Sequence, residues 1–149
     1  MENFGLTRNQ VQEKIVQLVY SFLIYQDSKT DLNFEAVVSE VCGMPYEDCD
    51  IFLKEVLIKV LKNQKLIVSY VNKYLKNWNF YRLNTTVQAI LLASIVEFYL
   101  DKDMDKAVII NNAVKFSKKF GDGGLKDYKF VNAVLQNCLD DGRENLLLN

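Results

Sequence analysis

Apolar residues recur every three or four positions along almost the whole chain, and this period constrains the fold more than any other feature. It matches one face of an α-helix, whereas a half-buried β-strand would alternate apolar and polar residues. The 149 residues include only six glycines and one proline. That is too little turn-forming sequence for the many short connections of a β-sandwich or barrel. The sequence therefore predicts an all-α fold.

Helix boundaries follow from capping residues and from breaks in the period. Thr7 is the predicted N-cap of a helix that ends near Gln26. A second helix is expected to stop before Gly43. The period then runs through residues 51–75, which is longer than a typical single helix. We therefore expect two consecutive helices there, with a bend near residues 62–65.

The second half begins at an aromatic stretch, Trp-Asn-Phe-Tyr at residues 78–81. It lacks the glycine, serine or proline of a loose connection, so we expect a packed junction rather than a flexible linker. A helix over residues 87–100 is apolar on nearly all sides, which predicts a central, buried position. Two more helices are predicted over 107–120 and 126–139, followed by a frayed tail.

The net charge of −1 conceals an uneven distribution along the chain. Residues 1–55 carry four basic and ten acidic side chains, whereas residues 56–96 carry six basic and no acidic side chains. Within this basic band, the spacing predicts a phosphate-attracting stripe along one helix, formed by Lys62, Lys65, Lys73 and Lys76. The alternative is an ordinary solvated helix face.

Composition argues against several classes of function. The chain has no histidine, which removes the commonest general base and the commonest metal ligand. Cys42, Cys49 and Cys138 have no paired spacing, so we expect reduced, buried thiols rather than a zinc site. Neither a signal sequence nor a membrane-spanning apolar run is evident. The expectation is a cytoplasmic protein that is not an enzyme and needs no cofactor or metal.

Residues 129–135 read Lys-Phe-Val-Asn-Ala-Val-Leu and place a cation beside an aromatic ring near the start of a helix. Lys129 and Phe130 are compatible with an edge that touches phosphate and stacks on an RNA base. Phe130 can equally be a plain core residue, which is the usual role of an aromatic side chain at helical spacing.

The second half resembles the bacterial NusB family in the order and spacing of several stretches. They are Ile-Leu-Leu-Ala at 90–93, Glu-Phe at 97–98, Val-Ile-Ile-Asn-Asn-Ala-Val-Lys at 108–115, Lys-Lys-Phe-Gly at 118–121, and residues 129–135. The first half agrees more loosely, through Gln-Leu-Val-Tyr-Ser at residues 17–21. The resemblance implies a fold of two packed three-helix subdomains, about 1–77 and about 78–149.

The same resemblance implies a function without enzymatic activity. NusB proteins bind the boxA element of nascent ribosomal transcripts together with NusE, a small-subunit ribosomal protein, and make RNA polymerase resist termination. By residue match, Lys129 and Phe130 fall on the RNA-contacting motif, and Tyr20 and Glu97 match positions on or near the partner surface. Further phosphate contacts are expected from Arg8, Lys118 and Lys119.

This sequence also departs from the NusB pattern. Arg8 is the only arginine where the family usually has a cluster, so each lost phosphate contact should weaken RNA binding. Leu92 and Asn112 stand where the family has an arginine and a glutamate, and Asp127 lies near the position of a family serine. The alternative functions are a protein-interaction module with weakened or lost RNA recognition, and an RNA-binding accessory domain like the one found in some RNA methyltransferases. Both a monomer and a homodimer remain open.

Overall fold

The computed structural model describes residues 6–76, 79–121, 125–139, 143 and 146–149. These residues form helices and loops without a β-strand, which confirms the all-α prediction. Two short 3-10 helices, Tyr46–Asp48 and Phe80–Arg82, accompany the long helices. The long helices are α1 (Arg8–Asp27), α2 (Phe34–Cys42), α3 (Ile51–Asn72), α4 (Thr85–Leu100), α5 (Lys106–Phe120) and α6 (Leu125–Cys138).

Short polar side chains begin most of these helices. Thr7 accepts a hydrogen bond from the backbone of Gln10, whose side chain accepts one from the Thr7 backbone in return. This reciprocal pair is a capping box, and it satisfies backbone N–H groups that the helix itself cannot pair. Asn33, Asp50 and Asn84 cap α2, α3 and α4 in the simpler way, with one side-chain oxygen each.

Helix α4 is the centre of the molecule. Every residue from 87 to 99 is buried, and α4 packs against α1, α3, α5 and α6. Leu91 and Ile95 are fully buried within it. One apolar core cluster includes side chains from α1 through α6, so the two halves of the chain share their interior. The predicted central position of this helix is confirmed.

The predicted bend near residues 62–65 is wrong, because α3 runs unbroken from Ile51 to Asn72. Asn63 interrupts the apolar period in the sequence, yet it is 1% exposed. Its Nδ2 donates to the Lys59 carbonyl at 2.8 Å, one turn earlier in the same helix. The polar side chain is therefore satisfied inside the structure, and the helix has no reason to break.

The expected frayed tail is also wrong for the part of it that the structure describes. The Arg143 guanidinium lies 3.9 Å from the centroid of the Phe98 ring and donates to the Phe98 carbonyl at 2.9 Å. Leu146 is buried. The Asn149 backbone N–H donates to Asn63 Oδ1 at 2.8 Å, which ties the tail to α3. Asn63 thus bonds both within α3 and to the tail.

The aromatic junction before α4 is packed where it is described. Phe80 is fully buried, and its ring meets the Tyr81 ring edge-on at 5.5 Å. Trp78, and the glycines of the turn before α6, lie outside the described residues. No helix in the described ranges is long and apolar enough to cross a membrane.

Candidate functional site

The end of α5 and the start of α6 form one corner of the molecule. Lys118 and Lys119 are exposed in the last turn of α5. The Lys118 Nζ lies 4.5 Å from the centroid of the Tyr128 ring, within cation–π range. Asn84 Nδ2 donates to Asp127 Oδ2 at 3.2 Å, which joins the start of α4 to the start of α6. We call Lys118, Lys119, Tyr128, Lys129 and Phe130 the α5–α6 corner.

Lys129 and Phe130 occupy different environments within this corner. Lys129 is exposed, whereas Phe130 is partly buried and packs against the apolar core. The next residue, Val131, is fully buried. Phe130 therefore packs on the core while part of the residue remains exposed to solvent.

Lys119 differs from the other corner lysines because it has an acidic partner. Its Nζ lies 2.8 Å from Glu13 Oε1 of α1. The side chains of Lys119 and Glu13 are 59% and 28% exposed, so the pair is solvated and contributes little to stability. It links α5 to α1 and neutralises part of the positive charge at this corner.

Arg8 contacts a different part of the molecule from its predicted companions. It is the first residue of α1 and is exposed. Its guanidinium carbon lies 4.1 Å from the centroid of the Phe52 ring at the start of α3. Glu13, the partner of Lys119, follows five residues later, or about 7.5 Å along the helix axis. The structure thus brings four of the five predicted RNA contacts together at the α5–α6 corner, whereas Arg8 contacts Phe52 of α3.

Tyr20, the first predicted partner contact, lines a pocket. Its side chain is 41% exposed, and the pocket has a volume of about 360 Å³. The lining residues come from three helices: Val16, Gln17 and Ser21 of α1, Thr86 and Ala89 of α4, and Phe120 of α5. A mainly apolar pocket of this kind can receive an apolar side chain of another protein.

Glu97, the second predicted partner contact, lies beneath the surface rather than on it, with 4% of the residue exposed. Burial raises the pKa of its carboxyl to about 8, although Gln12 and Arg8 nearby act in the opposite direction. Gln12 is also buried, and its Oε1 accepts a hydrogen bond from Asn112 Nδ2 at 2.8 Å. Glu97 can therefore act on a bound partner only through the residues that cover it.

Sequence reasoning missed three residues of this region. Tyr128 holds Lys118, Phe120 lines the Tyr20 pocket, and Gln12 lies between Asn112 and Glu97. Tyr128 directly precedes Lys129, so an extended aromatic and basic motif was visible in the chain. Gln12 gave no such signal, because a glutamine on a helix face is ordinarily solvated.

Comparison with known proteins identifies the family to which this architecture belongs. A family model described as "NusB family" matches residues 9–140. The chain belongs to the NusB family. The transcription antitermination protein NusB of Ligilactobacillus salivarius is 35% identical over 137 residues, covering 91% of this chain and 99% of that protein. The NusB of Bacillus pumilus is 33% identical, with 91% and 97% covered.

A solved structure of NusB from T. maritima supports the same fold. It superimposes with a TM-score of 0.74 at 21% sequence identity and covers 89% of this chain and 90% of that one. The NusB-like helical fold expected from the sequence is thereby confirmed. The similar proteins are named as transcription antitermination proteins rather than enzymes, which agrees with the prediction of a non-enzymatic protein.

The three departures from the NusB pattern have defined places in this structure. Leu92 is fully buried in α4, so an apolar side chain suits its position. Asn112 donates to Gln12, and Asp127 accepts from Asn84. All three replacements are therefore accommodated by local contacts of this chain.

Proposed function

We propose that this protein is an RNA-binding transcription antitermination factor of the NusB type. In this proposal it binds boxA-like single-stranded RNA together with a NusE-type ribosomal protein. The observation that carries the proposal is the α5–α6 corner, where exposed Lys129 stands beside the partly exposed ring of Phe130. Its action on nascent transcripts would place the protein in the cytoplasm.

The chemistry of the corner suits an unpaired RNA strand. Lys118 and Lys129 supply positive charge for phosphates, and the cation–π contact with Tyr128 limits the freedom of the Lys118 side chain. Unstacked bases of single-stranded RNA bind to aromatic faces. Phe130 can offer the part of its ring that is not packed on the core. Lys119 contributes fully only when its pair with Glu13 opens.

The proposed partner surface is the Tyr20 pocket. Tyr20 of α1 and Phe120 of α5 both line it and supply aromatic surface. Phe120 follows Lys119 directly, so the pocket borders the α5–α6 corner. An RNA strand and a protein partner could therefore bind side by side, as the NusB resemblance implies. Glu97, which is buried next to Gln12 of α1, would contribute indirectly by holding α1 in position.

The test compares boxA-type RNA with a scrambled strand, with and without the NusE-type ribosomal protein. Lys129→Ala should reduce the slope of log affinity against log salt by about 0.7, the value for one phosphate contact on a single strand. Phe130→Leu keeps an apolar side chain on the core, so it should fold and yet lose stacking. Lys102→Ala, an exposed lysine in the α4–α5 loop, is the control.

A second candidate function has its own observation in favour. Arg8 is engaged with Phe52, Lys118 with Tyr128 and Lys119 with Glu13, so three of the four predicted cations have intramolecular partners. This favours a protein-interaction module with weak RNA recognition. Partner binding that is unaffected by RNA, together with RNA affinity that is equal for the boxA-type and scrambled strands, would select this alternative.

A further inference from the structure

A groove along α3 is lined mainly by residues of the basic band, 56–96. It is separate from the residues of the α5–α6 corner. Two adjoining depressions, of about 430 and 270 Å³, share Lys65 and Tyr81 in their linings. Gln26 of α1 and Leu61, Lys62 and Gln64 of α3 complete the larger one. Val68, Ser69 and Asn72 line the smaller one. We call this continuous surface the α3 groove.

Tyr81 is exposed but firmly held. The side chain is 55% exposed, although its neighbour Phe80 is fully buried and meets it edge-on. The Tyr81 backbone N–H donates to Asn79 Oδ1 at 3.0 Å, and its carbonyl accepts from Gln88 Nε2 at 3.4 Å. An aromatic ring fixed in this way loses little conformational freedom when another flat ring stacks on it.

The far end of the Tyr81 side chain is fixed as well. Gln64 Nε2 donates to the Tyr81 hydroxyl at 3.4 Å. Gln64 and Gln26 donate to each other, at 2.9 and 3.0 Å. This chain of amides joins α1, α3 and the segment before α4, so the ring, the amides and the neighbouring lysines form one preorganised surface.

The charge of the groove points to a polyanion. Lys62 and Lys65 are exposed, and among the described residues the structure has one ion pair, Lys119–Glu13, which lies elsewhere. Residues 56–96 contain no carboxylate side chain. Asp27, which follows Gln26, is the one acidic residue adjacent in sequence to a lining residue. Two unpaired lysines beside an exposed ring match the pattern by which proteins bind a single strand.

We propose that the α3 groove is a second contact site for single-stranded RNA, with a base stacked on Tyr81 and phosphates on Lys62 and Lys65. The choice of RNA rests on the function proposed above. A protein segment that used this groove would leave the two lysines without a matching charge unless it were acidic. A duplex would offer no unstacked base to the ring.

The experiment uses the full chain and uridine oligonucleotides of two lengths, one long enough to occupy both sites and one too short to do so. Lys62→Gln/Lys65→Gln should reduce the salt slope for the long strand by about 1.4, at about 0.7 for each lost phosphate contact. Lys29→Gln/Lys102→Gln removes the same charge from two other exposed positions and should leave the slope unchanged.

Tyr81 is tested by two substitutions that separate stacking from hydrogen bonding. Tyr81→Phe keeps the ring and should retain affinity for the long strand, whereas Tyr81→Leu should weaken it about tenfold, within the range for one stacked base. A strand that carries 4-thiouridine should crosslink to Tyr81. Loss of affinity in Tyr81→Leu without a change in its thermal melting would exclude unfolding as the cause.

The outcomes separate this proposal from the function on which it rests. Long-strand binding that depends on Lys129 and Phe130 but not on Lys62, Lys65 or Tyr81 would overturn the groove and leave the proposed function standing. Binding that depends on Lys62, Lys65 and Tyr81 but not on Lys129 or Phe130 would support the groove. It would also show that the α5–α6 corner does not bind RNA. Absence of RNA binding by the unsubstituted chain, or capture of an acidic protein segment alone, would overturn the groove proposal.

Discussion

Replacement of Glu97 by glutamine should remove most of the pH dependence of stability between about pH 5 and pH 8. The chain has no histidine, so no side chain with an ordinary pKa in that interval competes with Glu97. Glutamine has nearly the same shape as glutamic acid and stays neutral. It can keep a hydrogen-bonding group beside Gln12 in the interior.

The size of the effect follows from the pKa of Glu97, which rises from an ordinary 4.5 to about 8 on folding. Burial is the main cause, and the carboxylate of Asp101 adds to it, whereas Gln12 and Arg8 oppose it. The folded protein therefore holds a proton that the unfolded chain releases. The contribution of Glu97 to stability is greatest below about pH 4.5, falls as the pH rises to about 8 and then levels off. At about 1.4 kcal/mol per pH unit, the loss is at most about 5 kcal/mol.

Urea denaturation followed by far-UV circular dichroism measures this directly. At about pH 5 the two proteins should differ in free energy of unfolding by less than about 1 kcal/mol, because both are neutral at residue 97. At about pH 8.5 Glu97→Gln should be more stable by several kcal/mol. Glu40→Gln, at an exposed position in α2, is the control. Parallel pH curves for Glu97→Gln and the unsubstituted chain would refute the burial argument.

Two further predictions concern the core and the tail. Leu91→Ala, at a fully buried position in α4, should cost about 2 to 5 kcal/mol of unfolding free energy. Lys62→Ala, at an exposed position, should cost less than about 0.5 kcal/mol. Similar urea midpoints for both would mean that the helix faces are misassigned. Asn63→Ala should cost about 1 to 3 kcal/mol because it leaves buried polar groups unpaired. It should also speed proteolysis of the tail relative to an exposed control, Asn111→Ala; equal cleavage rates would show that Asn63 does not anchor the tail.

The helices could be predicted from the sequence because their signals are local. Thr7 caps α1 as expected, since a capping side chain bonds to backbone two or three residues away. The buried position of α4 followed from the absence of a polar face. The exposed side chains of Lys118 and Lys129 were likewise evident from charge and helical spacing.

The tertiary structure decided which polar side chains are buried, and with what partner. Asn63 and Glu97 resemble surface residues in the sequence, yet both are almost fully buried. Asn63 is satisfied in part by Asn149, 86 residues away, and the pKa of Glu97 responds to Arg8 and Gln12 of another helix. Local sequence patterns specify helices, but the environment of a side chain is set by segments distant in the chain. For that reason the unbroken α3, the packed tail and the raised pKa of Glu97 could be recognised only from the tertiary structure.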